Sequence, residues 1–471
     1  MKKSKLCRVL RSLMRDEQAQ FKAFVASPYY SGKPELITLL GVILKYWPEF
    51  SIGKKTVFAE AFPDLTFDDK QFRYLSSDLN QLAERFLAVQ AFEKETVKQD
   101  LKTIRELTER NLEKEYTHVY RRIERQLEQS PERDTTYYDD RHRLATVELR
   151  HFELQRKRTF DSSLQKASNY LDCYYFLQKL KYSCAMLDRQ QIIKGTYELN
   201  LSQGLIQHLE QQQFFQDQTI RYYYNVLLAL REEEHEEHFY RLRDLLFSPA
   251  QEVPFTELRD LYFFGINYCL RKIRKGKDHF VREALDLYRQ GIDRRLLLDQ
   301  DELSPWTFTN VVKLALRLKE YEWIKRFIYD MVHLLPESFQ SDALHYNLAE
   351  TYYYTKEYDE ALHHLNQVHL SDLNYHLGSR VLLAKIYYEQ DLEEPLLSLI
   401  ASFTIFLKRN KKLSNTLKMT YLNFCTLLFQ ILKRKPNKWD EIKGHIAETA
   451  LLTDRTWLQE VLAKERRGGE V

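Results

Sequence analysis

The chain has 471 residues, with 71 basic and 68 acidic side chains and a formal net charge of +3 at pH 7. This balance excludes an overall field strong enough to draw the protein to nucleic acid or to an anionic membrane surface. The 12 glycines and 11 prolines are few for this length, and sheet proteins need these residues for their many tight turns. The composition therefore predicts an all-α protein, and an apolar content of 44% is enough to fill its core.

Cysteines are scattered along the chain without any CxxC pair, at Cys7, Cys173, Cys184, Cys269 and Cys425. Their spacing predicts neither a zinc site nor a disulfide framework, so it favours a reducing, cytoplasmic setting. The longest apolar run, residues 36–44, is about half of what a membrane-spanning helix needs. Residues 1–18 lack the continuous apolar segment of a signal peptide. We therefore expect neither a membrane span nor a secretory leader.

Residues 1–92 predict an N-terminal helical domain. Its helices are expected at 4–14, 17–27, 34–46, 54–61 and 69–91. The breaks between most of them fall at prolines, which disfavour helix in the residue before them. Asp68 is expected to cap the last of these helices by accepting hydrogen bonds from its free backbone amides.

Residues 93–215 predict long, charged helices with almost no proline or glycine. Apolar residues recur every three to five positions over 101–127, which indicates one long helix or two helices with a kink. Ser130 and Pro131 end this segment, and the polar stretch through Asp140 is the best candidate for a linker. Further helices are expected from 139 into the 160s, around 170–182 and, after a break at Gly204, over 205–215.

From residue 216 the pattern changes, and residues 216–435 predict a domain of repeated helix pairs. Pairs are expected at 220–230 with 239–247 and at 258–273 with 280–288. Ser304 as a cap and Pro305 in the first turn mark the start of the next helix. Residues 436–471 predict C-terminal helices followed by a flexible tail.

Within this domain the segment Tyr346–Val368 has large and small residues at fixed places in two predicted helices, namely Leu348, Ala349, Tyr352, Tyr358, Ala361 and Leu365. In this pattern the segment resembles one tetratricopeptide repeat (TPR), a unit of two antiparallel helices. Ala361 falls where the two helix axes approach so closely that little more than a methyl group fits.

Two neighbouring units repeat this layout less regularly. In residues 310–336, Ile324 replaces the small contact residue, and Tyr321 precedes Tyr358 by 37 residues against a family period of about 34. In the next unit Pro395 falls at the small position, so its second helix is expected to start late. The resemblance implies a degenerate TPR-like α-solenoid of antiparallel helix pairs behind the N-terminal helical domain. The whole chain is also similar to uncharacterised bacterial TPR-like proteins.

The resemblance also implies a binding surface. In TPR proteins the first helix of each pair lines a concave groove that receives an extended peptide or a partner helix. Carried over to this sequence, the groove residues are Lys313, Arg317, Tyr346, Glu350, Tyr353, Tyr354, Arg380 and Tyr387. Tyrosine and arginine are enriched at binding hot spots, but the alternative that these rings only pack against the next helix pair stays open. We expect a non-enzymatic scaffold for a protein or peptide partner, with no cofactor.

Catalytic motifs are missing from the sequence. It contains no glycine-rich phosphate loop, no GxSxG elbow and no HExxH pair. His235 and His238 lie one turn apart in a run of glutamates, where a solvated, charged elbow explains them better than a metal site. This pattern gives no reason to expect an enzyme.

The competing hypothesis is a transcriptional or RNA-associated regulator, with an N-terminal helix-turn-helix-like domain that binds nucleic acid and a TPR sensor domain. The predicted helices 54–61 and 69–91 would form a helix-turn-helix-like unit, with Lys70, Gln71 and Arg73 early in the second helix. Nearby aspartates oppose phosphate, however, and the link between the helices is longer than the usual three or four residues. Basic runs elsewhere are better explained as helix ends, where cations suit the helix dipole, and lie at 271–277, 408–412 and 433–435.

Overall fold

The computed structural model describes residues 1–156, 159–191, 195–199, 206–207, 209, 217–248, 253–369, 373–411, 413–433 and 438–468. Within these stretches the chain forms 22 α-helices, one 3₁₀ turn and one short hairpin, which confirms the all-α prediction. The predicted break at Gly204, most of the predicted helix 205–215, and positions 412, 434 and 435 of the basic runs lie outside the described residues. In the described stretches, no helix combines the length and the apolar character that crossing a membrane requires.

Residues 1–179 form the first of two compact units. Its complete helices are α1 (Lys5–Ser12), α2 (Arg15–Ala26), α3 (Pro34–Lys45), α4 (Lys54–Ala61), α5 (Asp69–Lys94), α6 (Thr96–Glu109), α7 (Glu113–Gln129) and α8 (Thr135–Leu154). The five helices predicted for residues 1–92 are all present. Helix α5 packs against α1, α2 and α3, and the first five helices share one apolar core. The predicted cap is also confirmed, because Asp68 accepts hydrogen bonds from the backbone amides of Lys70 and Gln71.

Two details of the first unit differ from the sequence prediction. The segment 101–127 forms two helices, as in the second of the two predicted alternatives, but α6 and α7 are joined by a turn and pack against each other instead of continuing through a kink. The proposed linker is also much shorter than predicted, since α8 begins at Thr135 and Asp140 is a buried residue inside it. Polar composition alone did not reveal that this helix turns Asp140 towards its neighbours.

Residues 180–471 form the second unit. The division falls within α9 (Ser163–Gln190), whereas the sequence placed boundaries at 92/93 and 215/216. The remaining helices are α10 (Gln218–Arg231), α11 (Glu237–Phe247), α12 (Phe255–Arg274), α13 (Phe280–Asp293), α14 (Pro305–Arg317), α15 (Tyr321–Met331), α16 (Glu337–Tyr354), α17 (Tyr358–Leu365), α18 (Leu373–Glu389), α19 (Glu393–Arg409), α20 (Asn415–Leu432), α21 (Trp439–Glu448) and α22 (Arg455–Gly468). The hairpin β1 (Leu298–Asp299) and β2 (Glu302–Leu303) links α13 to α14.

Helices of the second unit pack mainly against their neighbours in the chain. From α10 to α22 each helix contacts the next one, and α14 also contacts α16, as α16 does α18 and α20 does α22. Short links join the helices of each pair, so the two members run antiparallel. We call α14, α16 and α18 the first helices, and α15, α17 and α19 the second helices.

The same turn joins each first helix to its second helix. Lys319, Lys356 and Asp391 adopt a left-handed conformation with φ of 58°, 64° and 56°, and they lie 37 and 35 residues apart. The residue after each of them donates its backbone amide to a carbonyl five residues earlier, as at Glu357, which bonds Tyr352 at 2.9 Å. This is the Schellman arrangement that satisfies the last carbonyls of a helix. The recurrent turn fixes which residues of successive pairs correspond.

This correspondence changes one prediction about the second helices. Counted from the turns, Ala361 corresponds to Ile324 and to Leu396, and all three are buried. Pro395 therefore lies one residue before the contact position rather than on it. Helix α19 therefore does not start late but begins at Glu393. Pro395 is tolerated in its first turn, because the backbone amides there have no acceptor within the helix and the missing N–H of proline breaks no hydrogen bond.

Candidate functional site

A cavity of about 370 Å³ opens between the first helices, α20 and the residues before α22 in the second unit. Helix α14 contributes Lys313 and Arg317, while α16 contributes Tyr346, Glu350 and Tyr354. Apolar walls come from Leu316, Val381 and Leu382, and the remaining walls come from Gly378, Lys385, Tyr421, Thr453 and Asp454. Five predicted groove residues thus line one cavity.

A second cavity, of about 570 Å³, adjoins the first and shares Tyr354, Lys385 and Asp454 with it. Tyr353 lines this second cavity rather than the first. Its wall also includes Trp457 of α22. We call the two cavities together the trough.

The structure does not bring Arg380 and Tyr387 to the trough. An α-helix turns about 100° per residue, so both lie roughly 160–180° around α18 from Gly378, which lines the first cavity. Arg380 instead approaches the ring of His376 on the side facing α19, and Tyr387 packs into the apolar core beyond α18. These two predicted groove residues therefore do not line either cavity of the trough.

The central contact of the trough is an ion pair that the sequence did not reveal. The Lys385 ammonium lies 2.9 Å from a carboxylate oxygen of Asp454, the residue directly before α22. The side chain of Lys385 is only 9% exposed, and its ammonium faces the rings of Tyr353, Tyr354 and Trp457 at 4.9, 5.9 and 5.8 Å from their centroids. These rings are suitable cation–π partners for a buried ammonium.

Each charge of this pair keeps the other ionised. Burial acts to raise the pKa of Asp454, but the Lys385 charge and hydrogen bond, with a hydrogen bond from Thr453, bring its pKa below the usual value. For Lys385, burial acts to lower the pKa, and Asp454 more than compensates, so that the pKa lies above its ordinary value. The pair is therefore charged at neutral pH despite its burial.

Glu350 and Lys313 carry opposite charges in the first cavity. Burial raises the pKa of Glu350, while the charges of Lys313 and Lys385 act in the opposite direction. The Oε2 atom of Glu350 is buried and accepts no hydrogen bond in the described part of the chain. Lys313 is exposed at the rim of the cavity. Arg317 differs from both, because its guanidinium pairs with Asp278 at 2.7 Å.

Tyr346 has a packing role in this wall. It is 8% exposed, and its ring lies 5.4 Å from that of Tyr375. A Cβ added to Gly378 would lie 2.7 Å from the Tyr346 hydroxyl, so glycine makes room for the ring. Tyr354 is different, because 46% of it is exposed between the two cavities.

The first turn of α5, which the regulator hypothesis uses, is locally neutralised. Asp69 accepts hydrogen bonds from Arg73 one turn later and from Lys54 of α4. These contacts lower the pKa of Asp69, the Lys54 hydrogen bond most and then Arg73. Lys70 and Gln71 are exposed beside this cluster. A cation that already shares a carboxylate is a weaker partner for phosphate than a free one.

The basic run 271–277 is neutralised by the glutamate-rich elbow between α10 and α11. Glu233 pairs with Lys275, and Glu236 lies 3.7 Å from the ammonium of Lys272. His235 and His238 pair with glutamates of the same elbow, as expected for a charged elbow. Across the described residues, no group of three or more His, Cys, Asp or Glu side chains is arranged to hold a metal ion.

No family model, curated protein or solved structure matches this chain. The likeness to TPR proteins therefore stays a prediction from the sequence, and a function has to be argued from the trough itself.

Proposed function

We propose that the second unit is a degenerate TPR-like α-solenoid and that the protein is a non-enzymatic interaction scaffold. It binds a peptide or a partner helix along the trough. The recurrent turn at Lys319, Lys356 and Asp391 supports the repeat assignment, because it gives three successive helix pairs one common register. The packing of Ala349 on one helix and Ala361 on the next, both buried, supports it further.

The observation that carries this proposal is the continuity of the two cavities. They share Tyr354, Lys385 and Asp454, so one extended chain segment could contact both. A half-exposed tyrosine between charged groups is a common hot-spot residue in protein interfaces. Because both signs of charge line the trough, a polar backbone suits it better than a purely apolar helix face.

We place this scaffold in the bacterial cytoplasm. Cys7, Cys184, Cys269 and Cys425 are free thiols, and all four are buried. Oxidising compartments favour paired cysteines, whereas scattered free thiols are usual in a reducing one.

Site-specific photocrosslinking in the full-length chain tests the scaffold function. A benzophenone amino acid replaces Tyr354 in the trough or, as a control, Tyr329, which is 55% exposed on α15. We expect a defined set of crosslinked peptides from position 354 that is not captured from position 329. If both positions capture the same peptides, or position 354 captures none in cells that express the protein, the trough is not a binding surface.

A further inference from the structure

Three charged residues occupy one position in successive helix pairs. Lys313, Glu350 and Lys385 each lie six residues before the left-handed residue of their turn. All three line the first cavity, where their charges are positive, negative and positive in chain order. Asp454 lines the same cavity and adds a negative charge after them. The helix pairs therefore supply three charges of a row, the residue before α22 supplies the fourth, and successive charges are opposite in sign.

Only half of this row is internally paired. Lys385 and Asp454 bond to each other, whereas in the described residues the side chains of Lys313 and Glu350 form no ion pair and Glu350 Oε2 accepts no hydrogen bond. A buried carboxylate oxygen such as Glu350 Oε2 that has no donor is unfavourable, because it has lost its hydrogen bonds to water and gained none in return. A ligand that supplies the donor would recover this free energy.

The space beside these two charges has the size of a small-molecule site. Its volume of about 370 Å³ lies near the lower end of the range for ligand pockets, roughly 300–1,000 Å³. Leu316, Val381 and Leu382 form an apolar wall, and the rings of Tyr354 and Tyr421 face the same space. An apolar side chain of moderate size would be buried there.

We propose that this cavity binds a small zwitterion of the amino-acid class with an apolar side chain. Its ammonium donates to Glu350, and its carboxylate accepts from the Lys313 ammonium. Its side chain lies against Leu316, Val381 and Leu382. No covalent step is involved.

The charges of the cavity favour a dipolar ligand over a singly charged one. A simple cation would meet Lys313 and Lys385, and a simple anion would meet Glu350 and Asp454. A zwitterion places each of its charges beside the opposite one. This inference goes beyond the scaffold function, since a small ligand can occupy the first cavity whether or not a peptide binds in the trough.

Calorimetry and thermal denaturation of the full-length chain test the proposal. The probes are L-leucine and L-phenylalanine, the dipeptide Leu-Leu, N-acetyl-L-leucine without an ammonium, and L-leucinamide without a carboxylate. We expect a zwitterionic probe to bind and to raise the melting temperature, and each blocked probe to bind at least about tenfold more weakly. The dipeptide separates the two sources of this chemistry, because a free amino acid and a short peptide differ in the spacing of their charges.

Two variants locate the bound molecule. Glu350→Gln and Lys313→Met each remove one charge, and we expect each to weaken binding by about tenfold or more. Glu394→Gln and Lys408→Met, on exposed positions of α19, are the matched controls and should bind as the unmodified chain does. Circular dichroism confirms that each variant is folded.

The proposal is overturned if no zwitterionic probe binds the unmodified chain at up to tens of millimolar. It is also overturned if the blocked probes bind as tightly as the zwitterionic ones. The same holds if Glu350→Gln and Lys313→Met are folded and both retain full affinity. Crosslinking from position 354 is measured without these probes, so failure of this proposal and failure of the scaffold function can be told apart.

Discussion

Lys385 and Asp454 lie 69 residues apart in the chain, yet their charged groups meet at 2.9 Å between α18 and the start of α22. The contact is largely shielded from water, since the lysine side chain is 9% exposed and the aspartate 27%. It fastens the last helix of the second unit to the wall of the trough. A buried ion pair adds little net stability, but removal of one partner is costly because the other charge stays buried and unpaired.

Removing one charge of the Lys385–Asp454 ion pair should therefore destabilise the fold more than removing both charges. In Asp454→Asn the Lys385 ammonium stays buried without its partner, and we expect the free energy of unfolding to fall by about 2–4 kcal/mol. Asparagine is chosen because Asp454 has a φ of 49°, a conformation that asparagine tolerates. Lys385→Met combined with Asp454→Asn should recover much of this loss. Urea unfolding of the single and double variants measures the difference, and strictly additive losses would contradict the coupling.

Gly378 makes room for the side chain of Tyr346. This close approach should decide whether Gly378→Ala raises or lowers the stability of the protein. A Cβ at position 378 would lie 2.7–2.9 Å from the hydroxyl and ring of that buried tyrosine, so Gly378→Ala should lower stability by about 1–3 kcal/mol.

Gly444 in α21 provides the control, because nothing lies within 4 Å of a Cβ added there. Gly444→Ala should raise stability by about 0.5–1 kcal/mol through helix propensity alone. Thermal unfolding of both variants gives the comparison. If Gly378→Ala is stabilising as well, Tyr346 is not held in the way described.

The helices of this protein could be predicted from its sequence, because apolar spacing and proline breaks are local signals. The register between successive helix pairs could not be predicted in the same way. A family period of 34 places Arg380 opposite Tyr346, but the turns at Lys356 and Asp391 are 35 residues apart. Since one residue rotates a helix by about 100°, that single position is enough to take Arg380 and Tyr387 off the face of α18 that lines the trough.

Only some of the charged residues of the trough could be predicted from the sequence. Glu350 and Lys313 were found because they lie in the segments that resemble a TPR. Lys385 was missed, although it follows Glu350 at the same 35-residue spacing as the turns, which is the signal that could have identified it. Asp454 carries no such signal, because it lies outside the helix pairs and meets Lys385 only in the folded chain.

The histidine pair of α16 and α17 should make the second unit sensitive to mild acid. The Nδ1 atoms of His345 and His364 lie 2.9 Å apart, which requires one ring to donate and the other to accept as a neutral ring. Burial, followed by the charges of His363 and His369, lowers the pKa of His345, and burial and His345 lower that of His364.

Because both pKa values lie below the ordinary histidine value of about 6.5, the unfolded chain binds more protons as the pH falls through that value. The stabilising contribution is therefore present above about pH 6.5 and is lost as the pH falls toward the lowered pKa values. We expect the melting temperature to decrease from pH 7.5 to 5.5 less steeply in His345→Gln than in the unmodified chain. The variant His118→Gln, at an exposed position of α7, should change nothing, and equal slopes in all three proteins would refute the assignment.

The effect of Asp140 on stability should have the opposite pH dependence to that of the histidine pair, because its destabilising contribution disappears as the pH falls. Burial, reinforced by the charge of Asp139, raises the pKa of Asp140 to about 6, and its Oδ1 atom is buried without a hydrogen-bond partner in the described residues. Above pH 6 the folded chain must keep a poorly solvated carboxylate. As the pH falls from 6 towards 4, the folded state binds a proton that the unfolded state does not yet bind, so this cost disappears.

Asp140→Asn removes the charge and keeps the shape of the side chain. At pH 7.5 we expect it to raise the free energy of unfolding by about 1 kcal/mol or more, because burial disfavours the charged form of Asp140. Near pH 4 the advantage should vanish, because the carboxyl group of the unmodified chain is then neutral. Urea unfolding at both pH values measures this, with Asp64→Asn in an exposed loop as the control. An equal gain at both pH values would mean that the charge of Asp140 is not the cause.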